Sequence, residues 1–201
     1  MGHTIGLLML VLLGTPSWTK TAETLARSLV FITTADSSCT GMVINAAVKG
    51  DKDYILTAAH CHQTGKEIYA ESVATRVIFK DVRYDVAVLE VDDLDKPAVT
   101  FAAKNPQTGD EVGSLGFGGG LEQPMLRIAH VSHAAIAIPD VDGGPFVMID
   151  AGFVGGMSGG AVVNPAGEVV AIVQRASDKV GVGIGVDAIR KKIGRFLPKT
   201  P

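Results

Sequence analysis

Residues 156–160 read GMSGG, and this serine enclosed by glycines determines how the rest of the chain is interpreted. Glycines on both sides of a serine allow a sharp backbone turn and bring main-chain N–H groups close to a substrate oxygen. This segment also matches the G-x-S-x-G motif of α/β-hydrolases, in which the serine lies at a tight strand-to-helix turn. A glycine-rich turn around a solvated serine fits these residues equally well, so the residues elsewhere in the chain must decide.

The order of the candidate residues narrows the choice. All five histidines precede Ser158, at positions 3, 60, 62, 130 and 133. An α/β-hydrolase carries its histidine after the serine, so the usual hydrolase order is excluded for this serine. The order histidine, aspartate, serine remains open.

Two segments supply candidates for that order. His60 follows an apolar segment in TAAHC (57–61), and Asp85 directly precedes an apolar run in YDVAVLEV (84–91). A charge at the edge of an apolar strand is unfavourable without a partner. A structural histidine and a strand-capping aspartate are the ordinary alternatives.

Short apolar runs separated by turn residues predict an all-β protein. The predicted strands cover residues 28–34, 41–45, 53–57, 74–79, 86–91, 111–117, 127–138, 146–151, 161–164, 169–174 and 180–186. A polar linker begins at residues 92–97 and extends to 105–106, and a short helix capped by Asp187 follows at 188–197. Two all-β halves of similar size are therefore expected, and closing each into a barrel would remove exposed strand edges.

The N-terminal residues indicate export. Residues 5–13 read IGLLMLVLL, which is too short for a membrane span and typical of the core of a signal peptide. No Lys or Arg precedes this run, and a buried core strand or an uncleaved anchor remain alternatives. Cleavage is expected after Thr19 or Ala22. The net charge of −3 and the absence of a Lys/Arg cluster give no reason to expect a nucleic-acid partner.

The two cysteines, Cys39 and Cys61, suggest one disulfide in an exported chain. Two free buried thiols are the alternative. A metal site is disfavoured, because Cys39, His60, Cys61 and His62 lack the paired spacing of structural zinc ligands. No metal and no cofactor is expected.

Taken together, TAAHC, YDVAVLEV and GMSGGAV resemble the three catalytic blocks of the chymotrypsin/trypsin-like serine proteases, in that family's order. The resemblance extends from about residue 28 to residue 197, and its style is closest to bacterial Deg-like and small trypsin-like peptidases without a PDZ module. It implies two six-stranded antiparallel β-barrels, followed here by the short C-terminal helix. It also implies a link between Cys39 and Cys61.

The resemblance assigns roles to individual residues. Ser158 would be the nucleophile, His60 the general base and then acid, and Asp85 the group that orients His60. The main-chain N–H groups of Gly156 and Ser158 would form the oxyanion hole. The strand segment Gln174, Arg175 and Ala176 would pair with substrate backbone. Gly152, Phe153, Ala176 and Gly183 would line the primary pocket.

The chain departs from the digestive members of the family. Those members carry an aspartate before the catalytic serine, and it pairs with a new N-terminus after zymogen cleavage; here that residue is Met157. The loop is therefore expected to be held by packing around Phe153, Val154 and Met157. Mature chains that start anywhere from Thr19 to Ala26 are expected to turn over substrate similarly. No acid stands at the base of the pocket, so a small or medium apolar side chain before the scissile bond is expected.

The sequence thus predicts a signal peptide at residues 1–22, a first barrel and linker at 23–105, and a second barrel and helix at 106–201. The predicted protein is a secreted or periplasmic serine endopeptidase that acts on polypeptides through an acyl-enzyme, without a stable membrane anchor. A catalytically silent protease-like binding module is the alternative, and a non-peptide esterase is a third possibility. The sequence leaves the oligomeric state open.

Overall fold

The computed structural model describes residues 17–46, 51–63, 65–139, 141–176 and 179–198. These residues form two antiparallel β-sheets, one from each half of the chain, with one α-helix before them and one after them. The apolar run predicted as a signal-peptide core lies outside the described residues, so the export signal stays a prediction.

The first sheet has seven strands in the order β5-β4-β1-β2-β3-β7-β6. The strands are β1 (Leu29–Thr34), β2 (Ser38–Asn45), β3 (Lys52–Thr57), β4 (Ile68–Ala70), β5 (Val73–Ala74), β6 (Arg76–Asp81) and β7 (Val86–Asp92). β4 and β5 have 3 and 2 residues, too short for a periodic pattern, and neither was predicted as a separate strand. The end strands β5 and β6 do not pair with each other in the described part of the chain. The first half is therefore an open seven-stranded sheet, where a closed six-stranded barrel was expected.

The second sheet is a closed six-stranded barrel in the order β10-β13-β12-β11-β8-β9. Its strands are β8 (Glu111–Phe117), β9 (Pro124–Ile136), β10 (Phe146–Ile149), β11 (Ala161–Val163), β12 (Val169–Ala176) and β13 (Gly181–Gly185). Each was predicted to within a few residues. The all-β fold class is thus confirmed, with this closed barrel and the short C-terminal helix.

The two sheets share one hydrophobic core. Leu29, Met42 and Leu56 of the first sheet and Leu115 and Ile172 of the second belong to the same cluster, and none is more than 1% exposed. Burial of a large aliphatic side chain contributes about 1.5–3 kcal/mol, so this shared cluster fixes the two halves against each other. A cleft between them can consequently carry groups from both halves at constant separation.

The two helices close the ends of this core. Helix α2 (Val186–Ile193) begins two residues before the predicted start, because its N-cap is Gly185, and Asp187 lies in its first turn. Ile189 and Ile193 are fully buried. Arg190 donates to the carbonyl oxygens of Ala103 (3.0 Å) and Phe101 (3.1 Å), which ties the linker to the helix.

Helix α1 (Trp18–Ala26) overlaps the end of the predicted signal peptide and continues over residues for which the sequence predicted no helix or strand. Trp18 Nε1 donates to Glu111 Oε1 at 2.7 Å, Thr21 Oγ1 donates to the Pro165 carbonyl at 3.0 Å, and Leu25 is 5% exposed in the shared core. Chains that start at different residues between 19 and 26 would retain different parts of this packed helix, and their similar turnover stays a prediction. No helix in the described residues is both long and apolar enough to span a membrane.

Candidate active site

His60 and Asp85 are brought together by the pairing of β3 with β7. The register places Thr57, the last residue of β3, opposite Ala87 in β7. Because the strands are antiparallel, the segment that leaves β3 and the segment that enters β7 lie side by side. His60 lies in the 3₁₀ turn Ala59–Cys61 that follows β3, and Asp85 directly precedes β7.

The Asp85 carboxylate makes two hydrogen bonds with His60. Its Oδ2 lies 2.7 Å from His60 Nδ1, and its Oδ1 accepts the His60 main-chain N–H at 2.9 Å. This arrangement favours the tautomer that carries its proton on Nδ1 and leaves Nε2 as an acceptor. The side chain of Asp85 is 13% exposed and that of His60 is 48% exposed. The carboxylate is thus shielded while the imidazole reaches the surface.

The backbone at Asp85 is strained and is held by its neighbours. Its φ of +50° lies in the left-handed region, which costs an L-residue about 1–2 kcal/mol. The Asp81 carboxylate accepts the N–H groups of Arg83 (3.0 Å) and Tyr84 (3.1 Å) in the preceding turn. The buried Gln174 amide donates to the carbonyl oxygen of Tyr84 and, at 3.3 Å, to that of Asp85.

Asp81 also connects this turn to helix α2, since Lys192 Nζ lies 2.8 Å from its Oδ2. Burial raises the pKa of the Asp81 carboxyl, but the hydrogen bond from Lys192 and those from the N–H groups of Tyr84 and Arg83 together outweigh burial. The pKa of Asp81 is therefore lowered below its usual value. The carboxylate remains ionised and the turn before Asp85 remains anchored at neutral pH.

The main chain of Ser158 lies against the turn that carries His60. The Ser158 carbonyl oxygen accepts the N–H of Thr40 at 2.8 Å and lies 3.8 Å from Sγ of Cys61, the residue after His60. In the described residues the Ser158 hydroxyl makes no hydrogen bond with the His60 ring. Such bonds are often long before substrate binds, so this geometry is compatible with a serine–histidine pair. Ser158 is partly exposed.

The N–H groups of Gly156 and Ser158 are oriented through the carbonyls of their own peptide groups. The Gly155 carbonyl accepts the N–H of Gly119 at 2.8 Å, and the Met157 carbonyl accepts the N–H of Gly160 at 2.9 Å. In a planar trans peptide the N–H points away from the C=O, so each bond fixes the direction of the following N–H. Neither the Gly156 N–H nor the Ser158 N–H has an acceptor among the described residues, and both are available to a ligand oxygen.

Two of the glycines in this loop are required by close backbone contacts. Gly156 has φ +97°, and a Cβ there would lie 2.3 Å from the Phe117 carbonyl oxygen. Gly159 has φ +81°, and a Cβ there would lie 2.2 Å from the Thr40 carbonyl oxygen. Only glycine allows the loop to approach β8 and β2 so closely.

The loop is packed largely as the sequence predicted. Met157 is fully buried and Phe153 is 9% exposed, but Val154 is 37% exposed and contributes less. The Phe153 ring lies against Gly181, where an added Cβ would come within 2.5 Å of two ring carbons. Gly152 is also buried, and its carbonyl accepts Nη1 of Arg127 at 2.5 Å. The predicted pocket lining therefore contains a bulky ring.

On one side, the segment 174–176 has no strand partner among the described residues. Arg175 and Ala176 pair with Val182 and Gly181 of β13, whereas β11 pairs only with residues 169–172 of β12. Gly183 lies inside the barrel wall, opposite Val173 and Val147, and a Cβ there would lie 2.3 Å from the Ile172 carbonyl oxygen. Gly183, which was predicted to line the pocket, thus allows close packing of neighbouring strands in the wall of the second barrel.

A cavity of about 450 Å³ adjoins the His60–Asp85 pair. Its lining includes the predicted residues Gln174 and Arg175, together with Lys80 and Val82, which the sequence did not indicate. Lys80 is held by a 2.7 Å hydrogen bond from Nζ to the His62 carbonyl. Lysine in the outer strand β6 gives no pattern that would distinguish it from a solvated surface residue.

Cys39 and Cys61 are joined by a disulfide with an S–S distance of 2.05 Å. Ligand atoms of Cys39, His60 and Cys61 lie within 4.8 Å of one another. Metal binding by cysteine requires thiolates, and the disulfide removes both. The bond links β2 to the turn that carries His60.

Comparison with known proteins adds a family to this geometry. Residues 39–172 match the family described as the trypsin-like peptidase domain. The chain belongs to that family. A "Probable periplasmic serine endoprotease DegP-like" of Pseudomonas savastanoi pv. phaseolicola is 30% identical over 139 residues, which are 66% of this chain and 29% of the relative. A protein of the same description from Pseudomonas fluorescens is 29% identical over 158 residues, 76% of this chain and 32% of the relative. The chain thus spans about a third of the length of these relatives.

Solved structures agree on the fold. The active form of the Rv3671c protease from M. tuberculosis superposes with a TM-score of 0.76 at 23% identity, covering 94% of this chain and 90% of that one. The serine endoprotease from Yersinia pestis gives 0.72 at 22% identity, with 90% and 66% covered. At these identities the likeness supports the chymotrypsin-like fold alone.

Proposed function

We propose that this chain is a serine endopeptidase in which Ser158, His60 and Asp85 form the catalytic triad. The observation that carries the proposal is the His60–Asp85 pair, with Nδ1 held 2.7 Å from Oδ2, in a turn that contacts the main chain of Ser158. Membership of the trypsin-like peptidase domain family and the descriptions of the DegP-like relatives as serine endoproteases support it.

The reaction would proceed in two halves. His60 Nε2 takes the proton of the Ser158 hydroxyl as Oγ attacks the scissile carbonyl carbon, and Asp85 stabilises the imidazolium. The tetrahedral oxyanion accepts hydrogen bonds from the N–H groups of Gly156 and Ser158. His60 then protonates the leaving amine as the C–N bond breaks, which leaves an acyl group on Oγ. Water, deprotonated by His60, hydrolyses this ester and regenerates the serine.

Substrate would bind as an added strand along residues 174–176. The edge of β12 opposite β13 is free of β11 there, and an extended peptide can pair with such an edge. The primary pocket would be shallow, because the Phe153 ring lies on Gly181. We therefore expect small side chains before the scissile bond, with discrimination of about 1–3 kcal/mol per methylene.

Export would place the enzyme in the periplasm or outside the cell. The apolar run at residues 5–13, the Cys39–Cys61 disulfide and the periplasmic description of the relatives support this part of the proposal. Disulfides persist in oxidising compartments. Non-reducing peptide mapping of the exported protein should recover the linked cysteines, and two fully alkylatable thiols would argue against it.

A peptide-library digest tests activity and preference together. The purified chain and its Ser158→Ala variant are incubated with the same library, and new termini are identified by mass spectrometry. We expect internal cleavage after small residues by the wild type alone. Equal cleavage by both proteins would reject Ser158 as the nucleophile, and no cleavage by either would favour a silent binding module.

A further inference from the structure

Thr40 is a fully buried polar residue of β2 whose hydroxyl bridges two segments of the other half of the molecule. Its Oγ1 accepts the N–H of Phe117, at the end of β8, at 2.8 Å. The same Oγ1 donates to the carbonyl oxygen of Gly156 at 2.8 Å. Thr40 is 0% exposed, so water does not compete for these bonds.

The main chain of Thr40 is engaged as well. Its N–H donates to the Ser158 carbonyl at 2.8 Å, and its carbonyl accepts Oγ1 of the buried Thr57 at 2.8 Å. Thr40 therefore contacts Gly156 through its side chain and Ser158 through its main chain. These residues stand on either side of Met157, which is buried and has no polar side-chain atom to anchor the loop.

The position of these bonds determines what they can control. The Gly156 carbonyl belongs to the peptide group between the two N–H donors, those of Gly156 and Ser158. A carbonyl held by a hydrogen bond fixes the plane of its peptide group, and so limits rotation of the peptide groups on both sides. Thr40 belongs to β2, and Phe117 is the last residue of β8 in the closed barrel. The hydroxyl therefore fixes the plane of this peptide group relative to both strands.

We propose that the Thr40 hydroxyl is a positioning group for the oxyanion hole, which holds residues 156–158 in the conformation that directs both N–H groups at the substrate. The inference rests on the proposed function, and it names a residue to which neither the sequence motifs nor the family match gave a role. The Thr40 hydroxyl, which belongs to the first sheet, hydrogen-bonds this loop, whereas the Met157 side chain has no strong hydrogen-bonding group.

Loss of the hydroxyl should affect catalysis more than binding. Complete loss of one oxyanion donor lowers kcat by about 10²–10³, and a loosened loop should fall below that limit. We expect Thr40→Val to lower kcat about 10- to 100-fold with KM changed less than about threefold, because the donors act chiefly in the transition state.

The test compares variants of the full chain on one peptide substrate. Thr40→Ser keeps the hydroxyl and Thr40→Ala removes it at nearly the same size, so this pair decides the outcome even if Thr40→Val fails to fold. Thr21→Val is the matched control. Thr21 lies in helix α1, is also buried, and its hydroxyl donates to the main-chain carbonyl of Pro165. Thermal unfolding and kcat and KM are measured for each protein.

Thr40→Ser should stay within about threefold of wild type, and Thr21→Val should lose stability without loss of kcat. Thr40→Ala should lose kcat at a temperature where it is fully folded. Equal kcat for Thr40→Ala and Thr40→Ser would overturn the positioning role and leave the proposed function intact. A wild-type chain that neither cleaves peptides nor reacts at Ser158 would instead reject the proposed function, and the inference with it.

Discussion

The replacement Gly156→Ala tests the proposed oxyanion hole at a residue whose backbone conformation leaves no space for a side chain. Gly156 has φ +97°, and a Cβ would lie 2.3 Å from the Phe117 carbonyl oxygen. An ordinary carbon–oxygen contact is about 3.3 Å or longer, so loop or strand must move by about 1 Å. A hydrogen bond lengthened by that amount is effectively lost.

Loss of one donor predicts a fall in kcat of about 10²–10³ for Gly156→Ala. Gly120→Ala is the matched control, because Gly120 also has a left-handed φ, +75°, but has no atom within 4 Å of an added Cβ. Both variants carry strain of about 1–2 kcal/mol, while the control should keep kcat within about threefold.

The assay measures kcat, KM and thermal unfolding of the three proteins on one peptide substrate. Full activity of Gly156→Ala, or an equal loss in both variants, would show that the Gly156 N–H does not serve the reaction.

Three further predictions concern the pocket, the turn before Asp85 and the N-terminal helix. Phe153→Ala should raise about tenfold the ratio of kcat/KM for peptides with Leu before the scissile bond to kcat/KM for peptides with Ala there. An unchanged ratio in a peptide series would refute the shallow pocket. Asp81→Asn should lower the free energy of unfolding, measured in urea at pH 7, by about 1–3 kcal/mol. The pKa of Asp81 is lowered in the folded state, so its ionised carboxylate stabilises the fold above the unfolded pKa of 3.8, and this stabilisation is lost as the pH falls through the folded pKa. The difference in free energy of unfolding between wild type and Asp81→Asn should therefore disappear at low pH. A difference that does not change with pH would contradict the role of Asp81. A chain that starts at residue 27 lacks Leu25 and should lose about 2–5 kcal/mol against one that starts at residue 17, and equal midpoints would show that the helix adds nothing.

The pairing of His60 with Asp85 could be predicted because both residues sit in short motifs that occur in a fixed order. Asp85 and His60 each lie next to a strand, and the pairing of β3 with β7 brings them together. Gly156 and Ser158 are two residues apart in the chain, so a single loop conformation is enough to orient both of the predicted oxyanion donors. The six strands of the closed second barrel were each predicted to within a few residues, because turn residues separate their apolar runs.

The parts that were missed depend on contacts distant in sequence. Thr40 and Gly156 are separated by 116 residues, and nothing in either segment shows that a hydroxyl joins them. Helix α1 was obscured by the predicted signal, and its role depends on Trp18 meeting Glu111 across 93 residues. The open first sheet reflects strands of 2 and 3 residues, which tertiary pairing stabilises and local sequence does not specify.

The central claim is that His60 activates Ser158 as a nucleophile, and the rate and site of reaction with a fluorophosphonate probe test it most directly. Intact mass and peptide mapping should locate a single phosphonyl group on Ser158 in the wild type. Ser158→Ala should not react, and His60→Ala should react more slowly by about 10³-fold or more, because serine without its base is a weak nucleophile. Modification at another residue, or equal rates for the wild type and His60→Ala, would contradict the account.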